Sequence, residues 1–462
     1  MPMSPMSPMS SMPMSSVSSM SSITKQTSLT ENGYAILKTG LSHPQTIQLY
    51  SRLTVTPLTH PDYPSPASIA VYETTRDVIR VPRQWGIDHF GPPTTCTLGD
   101  YPCPNLEFQG TLRPNQLEPH QLTLKHLSTH GSGVLSLPTG HGKTIITLSL
   151  LAQLKQRACI LVHKTHLLQQ WKEQIATFLP RCKVGTVQGS RKTFDSSCDI
   201  ILVMIQTMTN IPTVPPMFGT TVVDETHHLP SASFSKCMYK VNTKFMLGLS
   251  ATPSRKDGLT KVLLWHLGPI IYEGKPDRTA QHSTDIYFCK YNCRMTLDPR
   301  RHAEMITRLT QHKGRNAFIV STIKYFLARD TRKHRYILVL SERRDHATLL
   351  YEAIRLSSDR SCGLVLGGMS KEVFDIEKEK QIVFSTYQAL SEGVDIQNLN
   401  TLVLATPKTD IVQSMGRIFR KVHTEVNPII ADILDTQLYA KSRKRLSAYK
   451  SELNGNLRVH DI

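Results

Sequence analysis

From about residue 130 onward, runs of three to five apolar residues alternate with longer stretches that carry apolar residues at helical spacing. Short runs of this kind predict strands, and their alternation with helical stretches predicts α/β units on a parallel sheet. The first series is Val134–Leu137, Cys159–His163, Ile200–Met204, Thr221–Val223 and Phe245–Leu249. Residues 273–330 are polar and basic, with a helical stretch around Asn316–Leu327. A second series follows at Tyr336–Leu340, Gly363–Leu366, Gln381–Phe384, Thr401–Ala405 and Ile429–Ile433. Two series of one texture predict two lobes of one fold type, over residues 111–272 and 273–462. The run Lys441-Ser442-Arg443-Lys444-Arg445 reads as a basic helix or tail on the second lobe.

The amino-terminal quarter has a different texture. Residues 1–22 hold only Met, Pro, Ser and one Val, with no charge and no continuous apolar segment. Such a stretch is not a signal peptide and has nothing with which to build a core, so a disordered leader is expected. Residues 23–110 are rich in Pro, Thr and Tyr, which predicts a small β or mixed accessory region. Arg76, Arg80 and Arg83 beside Trp85 read equally as a basic–aromatic contact surface or as a solvated edge with one core tryptophan.

Charge sharpens the functional class. The chain carries 54 Lys and Arg against 36 Asp and Glu, a formal charge of +18. A broadly basic surface favours a polyanionic partner, most simply nucleic acid. No apolar run approaches the roughly 20 residues of a membrane span. Nine cysteines are scattered, and the close pairs Cys96/Cys103 and Cys289/Cys293 lack a second cysteine pair at zinc spacing. They read as reduced thiols of an intracellular protein.

Candidate chemistry sits where the predicted strands end. Leu137-Pro138-Thr139-Gly140-His141-Gly142-Lys143-Thr144 joins an apolar strand to a helical pattern, the context of a phosphate-binding loop. Gly140 and Gly142 let the backbone turn its N–H groups toward phosphates, with Thr139 and His141 completing the loop. Lys143 would reach the β/γ phosphates, and the Thr144 hydroxyl would ligate Mg²⁺. Leu137 stands where the strict pattern has its first glycine. After the strand Thr221–Val223 come Asp224 and Glu225: one carboxylate to hold Mg²⁺, one to orient and deprotonate a water. His227 suits polar coupling better than metal ligation. Ser250 and Thr252, at the end of another strand, would link the γ-phosphate site to the second lobe. Arg417 and Arg420, three residues apart, are either an ordinary surface pair or arginines delivered from the second lobe to a phosphoryl-transfer site.

Taken in order, these residues resemble a superfamily 2 helicase of the DExH type along residues 112–435. Motif I is Pro138–Thr144, motif Ia resembles Ile160–Trp171, motif Ib Asp199–Met208, motif II Asp224–His227, and motif III Ser250–Thr252. Motif IV resembles Ile337–Arg344, motif V Ser385–Asp395, and motif VI Gln413–Arg420. The run Ser250–Glu273 and the early segments ENGYAILKTGL, RLTVTPL and VIRVPRQWGIDHFG resemble the XPB-like branch, closest to helicases of poxviruses and iridoviruses. The resemblance implies two RecA-like lobes, with ATP and Mg²⁺ in the cleft and nucleic acid across the top. It implies Gln413, Arg417 and Arg420 acting from lobe two, Gly393 and Asp395 at the nucleotide, and Gln206, Thr207, Ser385 and Thr386 at the nucleic-acid backbone. Of two glutamines near an Arg-Pro-like pair, Gln121 has the better spacing for the adenine contact and Gln116 the better spelling, and Gln121 is favoured. The implied activity is ATP-driven translocation on or unwinding of nucleic acid, DNA before RNA, in viral transcript release, replication or repair. The rivals are a duplex translocase that does not unwind, an RNA helicase and an inactive scaffold. Implied partners are nucleic acid and viral transcription or replication proteins, in the host cytoplasm or nucleus or in the virion.

Overall fold

Strands buried on both faces are what a parallel sheet covered by helices requires, and the two series of apolar runs form such sheets. The computed structural model describes residues 26–58, 66–138, 140–226, 231–251, 257–274, 283–298, 301–329, 335–391, 396, 398–408, 426–438, 445–447, 449–450 and 457–462. The Met/Pro/Ser leader, Thr139, His227, Thr252, Gly393, Asp395, Gln413, Arg417 and Arg420 lie outside them.

The accessory region builds a mixed sheet from β1 (Thr27–Thr30), β2 (Gly33–Leu37), β5 (Glu73–Thr74), β6 (Val78–Val81) and β7 (Thr95–Cys96), in the order β5-β6-β2-β1-β7. A separate hairpin joins β3 (Thr54–Val55) to β4 (Ile69–Ala70). Helices α1 (His43–Arg52) and α2 (Arg83–Phe90) accompany them. Trp85 and Arg83 are both buried, so neither offers the contact surface that was one of the two readings of this cluster. Trp85 joins the core of the small sheet. Arg83 Nη1 donates to the Thr243 carbonyl at 2.7 Å, docking the region on lobe one. Asn32 Nδ2 donates to Tyr239 O, and Tyr239 OH donates to Val71 O.

Lobe one is a wholly parallel sheet of β8 (Ser132–Ser136), β9 (Ala158–Val162), β10 (Val184–Val187), β11 (Ile200–Met204), β12 (Thr220–Val223), β13 (Phe245–Ser250) and β14 (Ile270–Glu273). Its order is β10-β11-β9-β12-β13-β8-β14. Lobe two holds β15 (Thr284–Tyr291), β16 (Ile337–Ser341), β17 (Cys362–Val365), β18 (Ile382–Thr386), β19 (Thr401–Leu404), β20 (Ile429–Asp435) and β21 (Leu457–Asp461), in the order β17-β18-β16-β19-β20-β15-β21. Counted from the first strand of each lobe, both sheets run 3-4-2-5-6-1-7. The two lobes therefore share one topology, as the paired series predict.

Lobe one's helices include α3 (Pro114–His130), α4 (Lys143–Leu154), α5 (Thr165–Phe178), α6 (Ile205–Met208), α7 (Ser231–Met238) and α8 (Thr260–Leu267). Residues before α3 already belong to this lobe: Arg157 N donates to Tyr101 O, Cys103 N to Lys155 O and Gln109 N to Phe178 O. Backbone pairing of this connecting segment with lobe one thus runs from Tyr101 on, some ten residues ahead of the expected boundary. In lobe two, α9 (His302–Gln311) and α10 (Lys313–Arg329) follow β15. The fully buried Arg315 of α10 grips Asp435 at the end of β20 through Nε and Nη2, at 2.7 and 3.0 Å. Its Nη1 donates to Ala405 O. The basic-tail reading also needs correction at its last residue. Arg445 is buried and donates to Asp432 Oδ2 at 2.7 Å, beside the Tyr449 hydroxyl.

Arg315→Ala would leave Asp435 buried without its cation, at a cost of about 3–5 kcal/mol. Chemical denaturation should show a clearly lower midpoint; an unchanged midpoint would mean that this pair does not hold α10 to the sheet.

Candidate functional site on the first lobe

Parallel strands bring all carboxyl ends to one edge, where ligands of open α/β sheets bind. Read across the sheet of lobe one, those ends carry Gln188 after β10, Gln206–Thr207 after β11 and His163–Thr165 after β9. Asp224–Glu225 follow β12, Ser250 ends β13, and the Leu137–Lys143 loop follows β8. The phosphate-type loop, Ser250 and the acidic pair thus occupy three adjacent strand ends. The polar residues of motifs Ia and Ib occupy the neighbouring ones.

Gly140 and Gly142 take φ of +87° and +77°, a region that side chains with a Cβ rarely adopt. A Cβ added to Gly140 would meet nothing within 4 Å, which leaves the loop open at that point. At Gly142 an added Cβ would collide with Gln116 Nε2. Gln116 is buried, accepts from Arg113 N at 2.8 Å and donates to the His141 carbonyl at 3.2 Å. Gln121 is exposed, more than one helical turn along α3. The glutamine against the loop is therefore Gln116, not Gln121, the one favoured on spacing. The Arg-Pro pair opens α3 at its first turn, so it sets the register that aims Gln116 inward.

Lys143 begins α4, and its Nζ donates to the Leu137 carbonyl at 2.8 Å. Asp224 is buried, with Oδ2 accepting from Trp171 Nε1 and Oδ1 from Glu225 N, both at 2.9 Å. Burial first, and the neighbouring Glu225 second, push the Asp224 carboxyl up to about 6, against weaker opposing pulls from Trp171 and Lys143. Glu225 has φ +48°, backbone strain of a kind that collects at functional sites. Thr226 Oγ1 donates to Leu249 O, tying the acidic turn to β13. Ser250 is buried, and its carbonyl accepts from Leu137 N.

Farther along the edge, exposed Gln206 donates to the His163 carbonyl at 2.8 Å. The buried Thr207 hydroxyl accepts from Gly189 N. Gln188 Nε2 donates to Thr165 Oγ1. In lobe two, Ser385 and Thr386 end β18, both buried; the Thr386 hydroxyl accepts from Ala389 N. From the sequence, Trp171 stands only as the last residue of the motif Ia stretch, with no role of its own, and Gln188 has none. An apolar helix pattern marks Trp171 as core, and nothing local to Gln188 distinguishes it.

The donor set suits a hard divalent cation beside phosphates. One carboxylate, Asp224, and one hydroxyl, Thr144, flank the open glycine loop, and Mg²⁺ takes few protein oxygens in just such settings. Among the described residues no cluster of three or more His, Cys, Asp or Glu is placed to hold a metal alone. Nor is any helix among them long and apolar enough to cross a membrane.

Residues 109–255 match the family model described as the res subunit of type III restriction enzymes. The chain is 32% identical over 462 aligned residues to an Acanthamoeba polyphaga mimivirus protein that carries the provisional name ATP-dependent RNA helicase, covering 95% of this chain and 87% of the relative. A similarly named African swine fever virus protein is 26% identical over 378 residues, covering 74% of this chain and 71% of the relative. Among solved structures, yeast Dbp5 bound to RNA and ADP BeF3 aligns with a TM-score of 0.52 at 14% identity, over 76% of this chain and 94% of that one. The likeness to Dbp5 is one of fold: two tandem RecA-like lobes.

Glu225→Gln should keep nucleotide binding but lose turnover, since an amide does not accept the proton of an attacking water. Turnover within about tenfold of wild type, or about 1.4 kcal/mol of barrier, would remove Glu225 from that role. Asp224 adds a pH signature. Its folded pKa lies above the ordinary carboxylate value, so its contribution to stability is full below pH 4 and is lost as pH rises past about 6. Bound Mg²⁺ needs the charged form, so the thermal stabilisation given by Mg²⁺–ADP should grow between pH 5.5 and 7.5. A pH-independent stabilisation would count against Asp224 as the metal carboxylate.

Proposed function

Because the chain belongs to the superfamily 2 helicases, in the group of those from large DNA viruses, and is an ATP-dependent helicase, we propose that it is a DNA translocase acting in viral transcription, with release of transcripts as its task. The observation that carries this reading is the layout of strand ends in lobe one. Nucleotide-type residues fill β12, β13 and β8, motif Ia and Ib residues fill β9 and β11, and the two groups meet between β9 and β12. A single rigid edge then serves both ligands.

In this mechanism Thr139, Gly140, His141 and Gly142 cradle the phosphates through backbone N–H groups at the start of α4, whose dipole favours them. Lys143 leaves the Leu137 carbonyl for the β/γ phosphates. Gln116, rather than Gln121, contacts the adenine from α3 while bracing the loop. Thr144 and Asp224 would hold Mg²⁺, which would supply neutralisation of the phosphate charge when bound. Glu225 orients the attacking water and takes its proton. Gln413, Arg417 and Arg420 complete the site from lobe two, with Gly393 and Asp395 on the nucleotide. Ser250, Thr252 and His227 relay lobe closure to the acidic turn. Gln206, Thr207, Ser385 and Thr386 take the nucleic-acid backbone, where the charge of +18 also acts. Closing and reopening of the lobes advances the strand. The protein works inside the infected cell with viral transcription or replication proteins as partners.

DNA is favoured by the restriction-enzyme description of the matching family model and by the XPB-like run Ser250–Glu273. RNA is the second reading, because the mimivirus and African swine fever virus relatives are both named RNA helicases.

ATP turnover measured with single-stranded DNA, duplex DNA and RNA should rise most with DNA; stimulation by RNA alone would move the substrate to RNA. Arg420→Ala should still bind ATP through lobe one, but hydrolysis should fall by roughly 10³ or more, the scale of arginine fingers. Near-normal stimulated turnover in that variant would break the two-lobe site.

A further inference from the structure

A buried tryptophan needs an acceptor for its N–H, and the acceptor that Trp171 finds is unusual. Trp171 lies on α5 with Leu168 and Ile175, all three buried in the core of lobe one. Its Nε1 donates to Asp224 Oδ2 at 2.9 Å, so the partner is the carboxylate of the candidate metal site and not a backbone carbonyl. Hydrogen bonds to an ionised acceptor are roughly twice as strong as neutral ones. The other oxygen, Oδ1, accepts from Glu225 N. The carboxylate plane is thus fixed from two sides, one of them supplied by a different strand–helix unit.

That unit leads to the other half of the edge. α5 follows β9, the immediate neighbour of β12 in the sheet. At the start of α5, Thr165 Oγ1 accepts from Gln188, and the preceding His163 carbonyl accepts from Gln206. Six residues separate Thr165 from Trp171, about 9 Å along a helix. The buried face formed by Leu168, Trp171 and Ile175 resists rotation of the helix, so a shift at its first turn is carried to the indole.

We propose that Trp171 is a positioning residue that orients the Asp224 carboxylate and couples it to nucleic acid held at the strand ends after β9 and β11. This rests on the placement of nucleic acid in the proposed function. Nucleic acid at the α5 N-terminus sets the indole, the indole sets the carboxylate, and hydrolysis responds.

The decisive probe replaces Trp171 with benzothienylalanine by site-specific incorporation, which exchanges the N–H for sulfur at nearly constant shape and spares Trp85 and Trp265. Trp171→Phe is the simpler companion. Two readouts are taken on folded protein. Affinity for a fluorescent ATP analogue is followed as Mg²⁺ is titrated; half-saturating Mg²⁺ should rise about tenfold or more, the scale for groups that orient metal ligands. The ratio of nucleic-acid-stimulated to basal turnover should fall roughly fivefold or more, as loss of coupling between two sites requires. A core residue with no coupling role would lower the melting temperature and leave both readouts in place. Half-saturating Mg²⁺ unchanged, or a stimulation ratio within about twofold of wild type, in the benzothienylalanine protein overturns the proposal. Wild-type protein that no nucleic acid stimulates overturns the proposed function as well; normal stimulation retained in the variant overturns the coupling alone.

Discussion

Parallel pairing is the constraint on which everything else depends. When every strand of a sheet runs the same way, each connection crosses back over a face, and all carboxyl ends share one edge. Both lobes obey this with the same strand order, so each presents one working edge and two covered faces. In lobe one that edge gathers residues from Leu137 to Ser250 that are more than a hundred positions apart in the chain. The chemistry of a buried carboxylate next to an open glycine loop follows from that placement. Asp224 is desolvated because β12 lies inside the sheet, flanked by β9 and β13.

The strands with continuous apolar runs were legible in the sequence, because burial on both faces leaves no polar alternation to confuse the pattern. β15 was not. Asp285, Tyr287, Lys290 and Tyr291 interrupt its apolar character, although its first six residues are buried between β20 and β21. Its polar positions find partners across the fold: His460 and Arg458 at Asp285, Asp461 at Lys290. β10 was missed for the opposite reason, since four residues with a central glycine on a sheet edge make a weak signal.

Site residues divide in the same way. Lys143, Asp224 and Glu225 stand out because loop and strand-end chemistry is written locally. Gln116 was outweighed by Gln121 because spacing to Lys143 says nothing of which side of α3 meets the loop. Arg83 and Arg445 looked like surface charge, and both are buried, Arg83 against a carbonyl 160 residues along the chain and Arg445 against Asp432 of β20. Side-chain type constrains chemistry well and burial poorly when the compensating group lies on another element.

The position of β15 also bears on how the protein is made. Its pairing partners are β20 and β21, and its register partner to Asp285 is Ile429, 429 − 285 = 144 residues later. During synthesis this strand leaves the ribosome with both hydrogen-bonding edges bare. At about 5–20 residues per second it waits on the order of ten seconds for a partner. β8 in lobe one faces a similar delay, since it pairs only with β13 and β14. Through that interval each lobe holds an open edge next to an apolar core, the state most exposed to wrong pairing. The shared strand order that creates the working edge therefore sets the point in translation at which chaperones have the most to protect.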